Sequence, residues 1–504
     1  MIRLLALRSL TDRPWRSLFL LLGYSTGVGV MIVLLSIGEA LIAQARDERL
    51  VGGGEVTVLP EGLDVEVMKT GGLGGLFFSI DHARFVYRQL LASPRLSEDV
   101  AAVAPQIEGK LLYLRTPDGR ERPVRASGEI PSRTAAVGAA TSLAAGSWTD
   151  DDGDRRWRDP TPYELRHEID HFHIPPTADE SWAEWHYFNV VSADRRRWAF
   201  ISFIVGGAIP SAGVPTDRWG GQVLVTLHEE RHPARRFVAL APASRVSFST
   251  SSADLAIGES RVTVLPDGRY QVRATATEEG RSGGSAGGTV DVNLIVTPTP
   301  RAYFPGASLG SGDFISGYVV PALRADATGR ICAPDWCERL DRVQAYHDHN
   351  WGTWRGVTWE WGSARLGDYA VLFGRVEPPD SISSPQPLFV FLVDSLGFVA
   401  LFRPREVTYD DGRVVTVNGR AVRVPSRGVM VDVRGDDTLR LELEVEDAAV
   451  TDIRRPSIER GDASSARSLR RPYFVQMKGR ARLSGRVGGR ALVGEGTGFF
   501  ETYR

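Results

Sequence analysis

"QAYHDHNWGTWRG" spans Gln344–Gly356, and the reading of the fold turns on it. Tyr346, Asp348 and Asn350 alternate in it with His347, His349 and Trp351, and Trp354 follows. Successive side chains of a strand point to opposite faces. Read as a strand, the first three residues share one face and the second three the other. A carboxyl group held among aromatics is desolvated, which raises its pKa. Asp348 is therefore a candidate general acid near neutral pH. The rings of Tyr346, Trp351 or Trp354 are suited to stabilising a cation. The rival reading is a hydrogen-bonded turn joining two barrels, with Asp348 capping backbone amides.

A second stretch, "WAEWHYFNV" (Trp182–Val190), has the same texture. On a strand, Glu184, His186 and Phe188 face one way, and Trp185, Tyr187 and Asn189 the other. A carboxylate and an imidazole beside aromatics make an expensive core and a sensible pocket wall. The alternative is a wet barrel mouth with no ligand.

The surrounding chain is β-like from Tyr163 onward. "YFNVVSADRRRWAFISFIVG" reads as two strands about a polar turn, and "SRVTVLPDGRYQVRATATEE" as a hairpin at Pro266–Gly268. "PLFVFLVDSLGFVALF" holds two apolar strands. "TLRLELEVED" sets Leu439, Leu441, Leu443 and Val445 on one face. Short strands without long helices between them imply a barrel or sandwich, and 53 glycines with 29 prolines supply the turns. The length after residue 157 calls for two barrel-like halves.

The N-terminus is different. "LFLLLGYSTGVGVMIVLLSIG" (Leu18–Gly38) has no charged residue and, as a helix, is about 30 Å long, the thickness of a bilayer core. Arg3, Arg8, Arg13 and Arg16 precede it, while Arg46 and Arg49 are mixed with Asp47 and Glu48. That asymmetry predicts a single-pass anchor in the cytoplasmic membrane, N-terminus inside and body extracytoplasmic, in the periplasm. A signal peptide cleaved at "AQA" (Ala43–Ala45) is the rival, although signal cores are shorter. Next come a helix in "SIDHARFVYRQLLASP" (Ser79–Pro94), a hairpin about Pro117–Gly119, and a polar linker at Ser132–Arg156. The expected domains are 1–50 (lead and anchor), 51–131 (small α+β extracytoplasmic segment), 132–157 (linker), 158–355 and 356–504 (two barrels).

Several chemistries find no footing. Sixty basic against 62 acidic residues give no field for nucleic acid. No GxxxxGK[ST] loop is present. The two GxSxG matches, Gly23–Gly27 and Gly283–Gly287, lack the strand–turn–helix context of a nucleophile elbow. "DDDGD" fails as a calcium loop, because the twelfth position from Asp150 is Thr161. "RHEIDHFHIPP" offers His167, His171 and His173 with Glu168 or Asp170; histidines in a polar stretch ahead of a strand read as solvated or hydrogen-bonded. Neither a metal nor a cofactor is assigned. Cys332 and Cys337 read either as reduced thiols or as a small loop-closing disulfide.

Taken together, "EWHYFNV", "YHDHNWG", "WEWG" (Trp359–Gly362) and the terminal "GEGTGFFETYR" resemble the family of carotenoid 1,2-hydratases (hydroxyneurosporene synthase), AttH-type exported proteins and fungal Diels–Alderases, over roughly 158–504. The family commonly reads Glu-Trp-Trp-Tyr where this chain has His186. The resemblance implies a mainly β fold of two lipocalin-like antiparallel barrels in tandem around an apolar ligand cavity. It implies cofactor-free hydration of an isoprenoid double bond, with Asp348 as proton donor and Tyr346 and Trp351 lining the site. Glu184, Trp185, His186, Tyr187, His349, Asn350 and Trp354 would bind the ligand. Residues 1–130 resemble the start of MacB/FtsX-type ABC-transporter permeases, on "LLALRSLTDRPWRSLFLLLGYSTGVGVMIVLLSIGEAL" and "GGGEVTVLP" (Gly52–Pro60). The expectation is thus a membrane-anchored, extracytoplasmic lipocalin-like protein that binds a hydrophobic lipid or isoprenoid and works with an ABC transporter. The alternatives are an active hydratase and a non-catalytic interaction module of a transporter complex.

Overall fold

The computed structural model describes residues 14–46, 56, 58, 80–137, 149–173, 182–207, 219–230, 232–279, 288–311, 314–354, 356–379, 387–417, 419–452 and 471–504. Its helices are α1 (Pro14–Arg46), α2 (Ile80–Ala92), α3 (Pro131–Ala136), α4 (Asp152–Arg158) and α5 (Pro162–Ile169). The chain divides into two compact units, residues 1–79 with 100–154, and residues 80–99 with 155–504.

In the first unit, Pro14–Gly38 of α1 is long and apolar enough to cross a membrane. Phe19, Leu21, Met31 and Leu34 are all more than half exposed on it. Gly23–Gly27 lies inside this helix, so it builds no nucleophile elbow. Strands β1 (Gln106–Arg115) and β2 (Glu121–Glu129) form the hairpin expected at Pro117–Gly119, with Gly119 at φ 79°. Only a glycine takes that backbone conformation at little cost. Arg3, Arg8, Arg13, most of Gly52–Pro60, Gly283–Gly287 and residues 138–148 of the linker stretch lie outside the described residues.

The second unit holds two large antiparallel sheets. The first comprises β3 (Trp182–Val191), β4 (Arg197–Gly206), β5 (Gly220–Glu229), β6 (Arg235–Pro242), β7 (Val246–Ser249), β8 (Ser252–Ile257), β9 (Ser260–Val264), β10 (Tyr270–Glu278), β11 (Thr289–Pro298), β12 (Phe304–Ser311), β13 (Phe314–Cys332) and β14 (Cys337–Thr353). The path β11-β13-β14-β3-β4-β5-β6-β10 closes on itself, because β10 pairs back onto β11 from Tyr270↔Val296 to Thr277↔Thr289. Closure removes the sheet edges that would otherwise need covering. A Cys332–Cys337 disulfide joins β13 to β14.

The second sheet runs in the order β18-β17-β16-β15-β25-β24-β23-β22-β19. Its strands are β15 (Thr358–Leu366), β16 (Tyr369–Glu377), β17 (Phe389–Asp394), β18 (Gly397–Phe402), β19 (Thr408–Asp410), β22 (Arg427–Arg434), β23 (Asp437–Asp452), β24 (Tyr473–Val487) and β25 (Arg490–Tyr503). A separate hairpin is made by β20 (Arg413–Val417) and β21 (Arg420–Val424). Phe402 at one end of the sheet and Met430 near the other belong to one core with Leu441, Leu483 and Phe500. Side chains from both ends meet only if the sheet curls round. The fold is therefore mainly β with two curled antiparallel sheets, as the sequence leads one to expect.

Between the two sheets lies a third apolar layer. Alternation along each strand builds it: Phe188 and Val190 of β3 enter the first barrel's core, while Tyr187 and Val191 enter the layer between the sheets. In β16, Val371 and Phe373 face the second core, and Ala370 and Leu372 the shared layer. Strands buried on both faces explain why "RWAFISFIVG" is apolar throughout rather than alternating. Helix α2 packs its Phe85 into this layer against Tyr303 and Phe391. Its Gln89 side-chain oxygen accepts from Phe398 N–H at 2.9 Å.

Candidate functional site

The register of β14 on β3 sets Asp348 opposite Tyr187, His349 opposite His186, Asn350 opposite Trp185, and Trp351 opposite Glu184. Every residue expected in the site except Trp354, just past the end of β14, therefore falls on this strand pair. The pair has two faces, and the expected site divides between them.

One face looks into the layer between the sheets. There Asp348 is 2% exposed. Its Oδ2 accepts from the Tyr346 hydroxyl at 2.8 Å and from Trp361 Nε1 at 3.1 Å, and its Oδ1 accepts from Asn350 Nδ2 at 2.7 Å. Burial pushes its pKa up to about 7, against the pull of these donors, and the nearby Glu501 pushes the same way. Glu501 comes from β25. Its own pKa is raised by burial, although Gln476 Nε2 and Trp359 Nε1 each donate to it at 2.9 Å. Tyr187 adjoins both carboxyl groups, and burial raises its pKa well above that of a free phenol. Towards the surface, half-buried Trp185 packs on Trp354 at 4.5 Å between ring centres, and Trp354 meets Trp359 edge-on at 5.7 Å. These indoles form an aromatic rim whose Trp359 reaches Glu501.

The other face looks into the closed barrel. Asp170, the C-cap of α5, is fully buried there. The helix that delivers it starts at a capping box between Thr161 and Glu164. Asp170 Oδ1 lies 2.8 Å from His349 Nδ1, and its Oδ2 lies 2.8 Å from His347 Nε2 and from the Tyr270 hydroxyl. The other nitrogen of His349 lies 2.8 Å from Glu184 Oε1. Burial lowers the pKa of His349, but the two carboxylates outweigh it and push it up to about 9. His186 has its pKa held well below the usual value by burial. Trp351 belongs to this face, stacked on His173 at 3.5 Å.

Asp348, Tyr346, Asn350, Trp185, Tyr187 and Trp354 are thus together, and Glu184, His186, His349 and Trp351 are together on the opposite side. The resemblance put Trp351 beside Asp348, but an odd separation of three residues along a strand puts them on opposite faces. Of the two readings for His167, the structure gives the hydrogen-bonded one: it is buried, and its Nδ1 accepts from Ala253 N–H at 3.0 Å. Sequence reasoning missed Trp361, Glu501 and Gln476 on the first face and the central place of Asp170 on the second. Trp361 lies in the quoted "WEWG" and Glu501 in "GEGTGFFETYR", so the signal was a motif without an assigned role. A small cavity beside Val190, Trp198, Leu227 and Leu340 measures ≈ 20 Å³, room for about one water.

The chain is similar to the crystal structure of a putative AttH from Nitrosomonas europaea, at 16% identity and TM-score 0.43, over 66% of this chain and 98% of that one. It is similar to kievitone hydratase from Nectria haematococca, at 12% identity and TM-score 0.39, over 66% and 93%. It is also similar to CghA crystallised with Sch210972, at 13% identity and TM-score 0.41, over 68% and 95%. No protein-family model and no curated protein matches the chain.

Proposed function

We propose that this chain binds a small hydrophobic molecule, a lipid or isoprenoid, at the aromatic rim between its two sheets, and that Asp348 donates a proton to it. The observation that carries this is the pairing of the buried Asp348 carboxyl group with the half-buried Glu501 across one layer, each ringed by indole, phenol or amide donors. Such an arrangement holds a carboxylic acid protonated near neutrality, where proton donation to a carbon–carbon double bond is fastest for a given geometry. Tyr187, Trp359 and Trp361 present π faces to a developing carbocation. Water capture of that cation completes a hydration: one C–H and one C–O bond form, the π bond is lost, and a proton returns from the water to the site. No cofactor takes part in this scheme. The ligand enters through Trp185, Trp354 and Trp359, the partly buried indoles of this rim. The sequence likeness to carotenoid hydratases supports this chemistry, and the MacB/FtsX-like N-terminus together with α1 supports an anchored, extracytoplasmic, transporter-linked setting.

The test is to extract lipids from the full-length chain purified in detergent, and then to incubate it with acyclic isoprenoids. Mass spectrometry is expected to find a product heavier by one water, absent with Asp348→Asn. A bound isoprenoid that is never converted would leave binding and remove the hydratase. Neither binding nor conversion would favour a non-catalytic interaction module, the reading supported by the near-complete burial of Asp348 and Tyr346.

A further inference from the structure

The barrel-side face of the same strand pair carries a second constellation that the proton-donor reading does not use. Asp170 Oδ2, His186 Nδ1 and His347 Nε2 are mutually 2.8, 3.5 and 3.6 Å apart. All three residues are buried. A triangle with those sides has a circumscribed radius of about 1.9 Å. A point about 0.7 Å above its plane is therefore about 2.05 Å from all three atoms, the spacing of nitrogen and oxygen ligands around tetrahedral zinc. Three corners of a tetrahedron are in place.

The surroundings orient these atoms as metal ligands are oriented. His347 Nδ1 lies 3.0 Å from the Tyr187 carbonyl oxygen, an acceptor only, so Nδ1 carries the proton. In the neutral ring the Nε2 lone pair then faces Asp170 and His186. Two lone-pair groups pressed together at 2.8 Å repel unless a proton or a cation lies between them. The Tyr270 hydroxyl donates to the ligating oxygen of Asp170, and its other oxygen holds His349. Outer partners of this kind fix ring and carboxylate orientation at metal centres. His186 adds an independent sign: its Nε2 is buried with no hydrogen-bond partner. An imidazole placed for hydrogen bonding alone would not aim Nδ1 at the cluster and leave Nε2 orphaned, a loss of about 1–3 kcal/mol.

We propose that Asp170, His186 and His347 form a binding site for a zinc-class divalent metal ion inside the first barrel, with the fourth corner left to a non-protein ligand. The ion ties the end of α5 to β3 and β14. Imidazole nitrogen with a carboxylate oxygen favours zinc, cobalt or nickel over calcium or magnesium.

The experiment uses the full chain in detergent. After chelator treatment and dialysis, zinc and then cobalt(II) are titrated in, with metal content, melting temperature and visible absorption followed. The expected result is one equivalent bound, a raised melting temperature, and the intense visible absorption of tetrahedral cobalt. Asp170→Asn and His347→Gln are expected to weaken binding by about tenfold or more. His232→Ala, at an exposed histidine, is expected to leave it unchanged. Should either variant misfold, the stripped wild type still decides. No uptake at tenfold excess, a weak octahedral cobalt spectrum, or equal affinity in a folded Asp170→Asn protein would each overturn the site. Because Asp348 faces the opposite side of the sheet, proton donation and metal binding are scored separately.

Discussion

Asp348 and His349 are consecutive in the chain, yet Asp348 is held by Tyr346 and Trp361 between the sheets while His349 bridges Asp170 and Glu184 inside the barrel. One strand thus serves two polar clusters, and substitutions at adjacent positions are expected to have unrelated consequences.

For Asp348, the folded pKa of about 7 lies above the ordinary aspartate value of 3.8. The folded protein holds this proton more tightly than the unfolded chain does. The stabilisation that follows is fully present below about pH 4 and is lost as pH rises through about 7. Its upper bound is about 4 kcal/mol, from about 1.4 kcal/mol per pKa unit. Asp348→Asn removes this slope. Denaturant midpoints at pH 5 and pH 8 are expected to differ less in the variant than in the wild type. Any proton-donating turnover is expected to decline above about pH 7 and to vanish in the variant. An identical pH slope in both proteins would show that the carboxyl group is already ionised.

For His349, both ring nitrogens sit 2.8 Å from carboxylates, so the ring acts as a buried cation between two anions. His349→Ala leaves Asp170 and Glu184 uncompensated and is expected to cost about 3–5 kcal/mol. His349→Gln keeps a donor and is expected to lose less. Urea denaturation of the two variants checks the order; a loss below about 1 kcal/mol for alanine would show that water enters the cluster.

Much of this was legible in the sequence. The two-residue period through Tyr346–Trp351 and through Glu184–Asn189 correctly separated the faces, because the pleat of a strand is a local property. The hairpins at Pro117–Gly119 and Pro266–Gly268 were equally local. What was not legible depends on sheet pairing over long distances. Trp361 meets Asp348 because β15 lies across the layer from β14, and Glu501 joins them from the last strand. Asp170 meets His347 across 177 positions of chain, a closure that no spacing rule encodes. Helix α2 likewise buries residues through distant partners: Tyr87 meets Trp157 of α4, and Gln89 binds Phe398 of β18, while Val86, Leu90 and Leu91 are half-buried.

Gly317 is paired with Trp351, and a Cβ at Gly317 would stand 2.2 Å from the indole Cε2. Gly317→Ala is therefore expected to push Trp351 off its stack on His173, at a cost of about 1–3 kcal/mol. In a Trp351→Ala background the same change is expected to be nearly free, since the clashing ring is gone. Thermal melts of the four proteins in this cycle measure the coupling. Equal costs in both backgrounds would place the strain in the backbone instead.

Trp361 and Glu501 flank the Asp348 carboxyl group with opposite effects, so their removal is expected to move its titration in opposite directions. Trp361 Nε1 donates to Asp348 Oδ2 at 3.1 Å and stabilises the ionised form. Trp361→Phe keeps most of the ring and deletes the donor, so the Asp348 pKa is expected to rise above about 7. The lost hydrogen bond is expected to cost about 1–3 kcal/mol, because it leads to a buried acceptor. Glu501 is a like charge across the layer and opposes ionisation of Asp348. Glu501→Gln keeps the size and the hydrogen-bonding carbonyl while deleting that charge, so the Asp348 pKa is expected to fall. The readout is the pH at which the stability difference from the matching Asp348→Asn double variant changes most steeply. Shifts in the same direction for both substitutions would mean that solvent access, rather than these two neighbours, governs the carboxyl group.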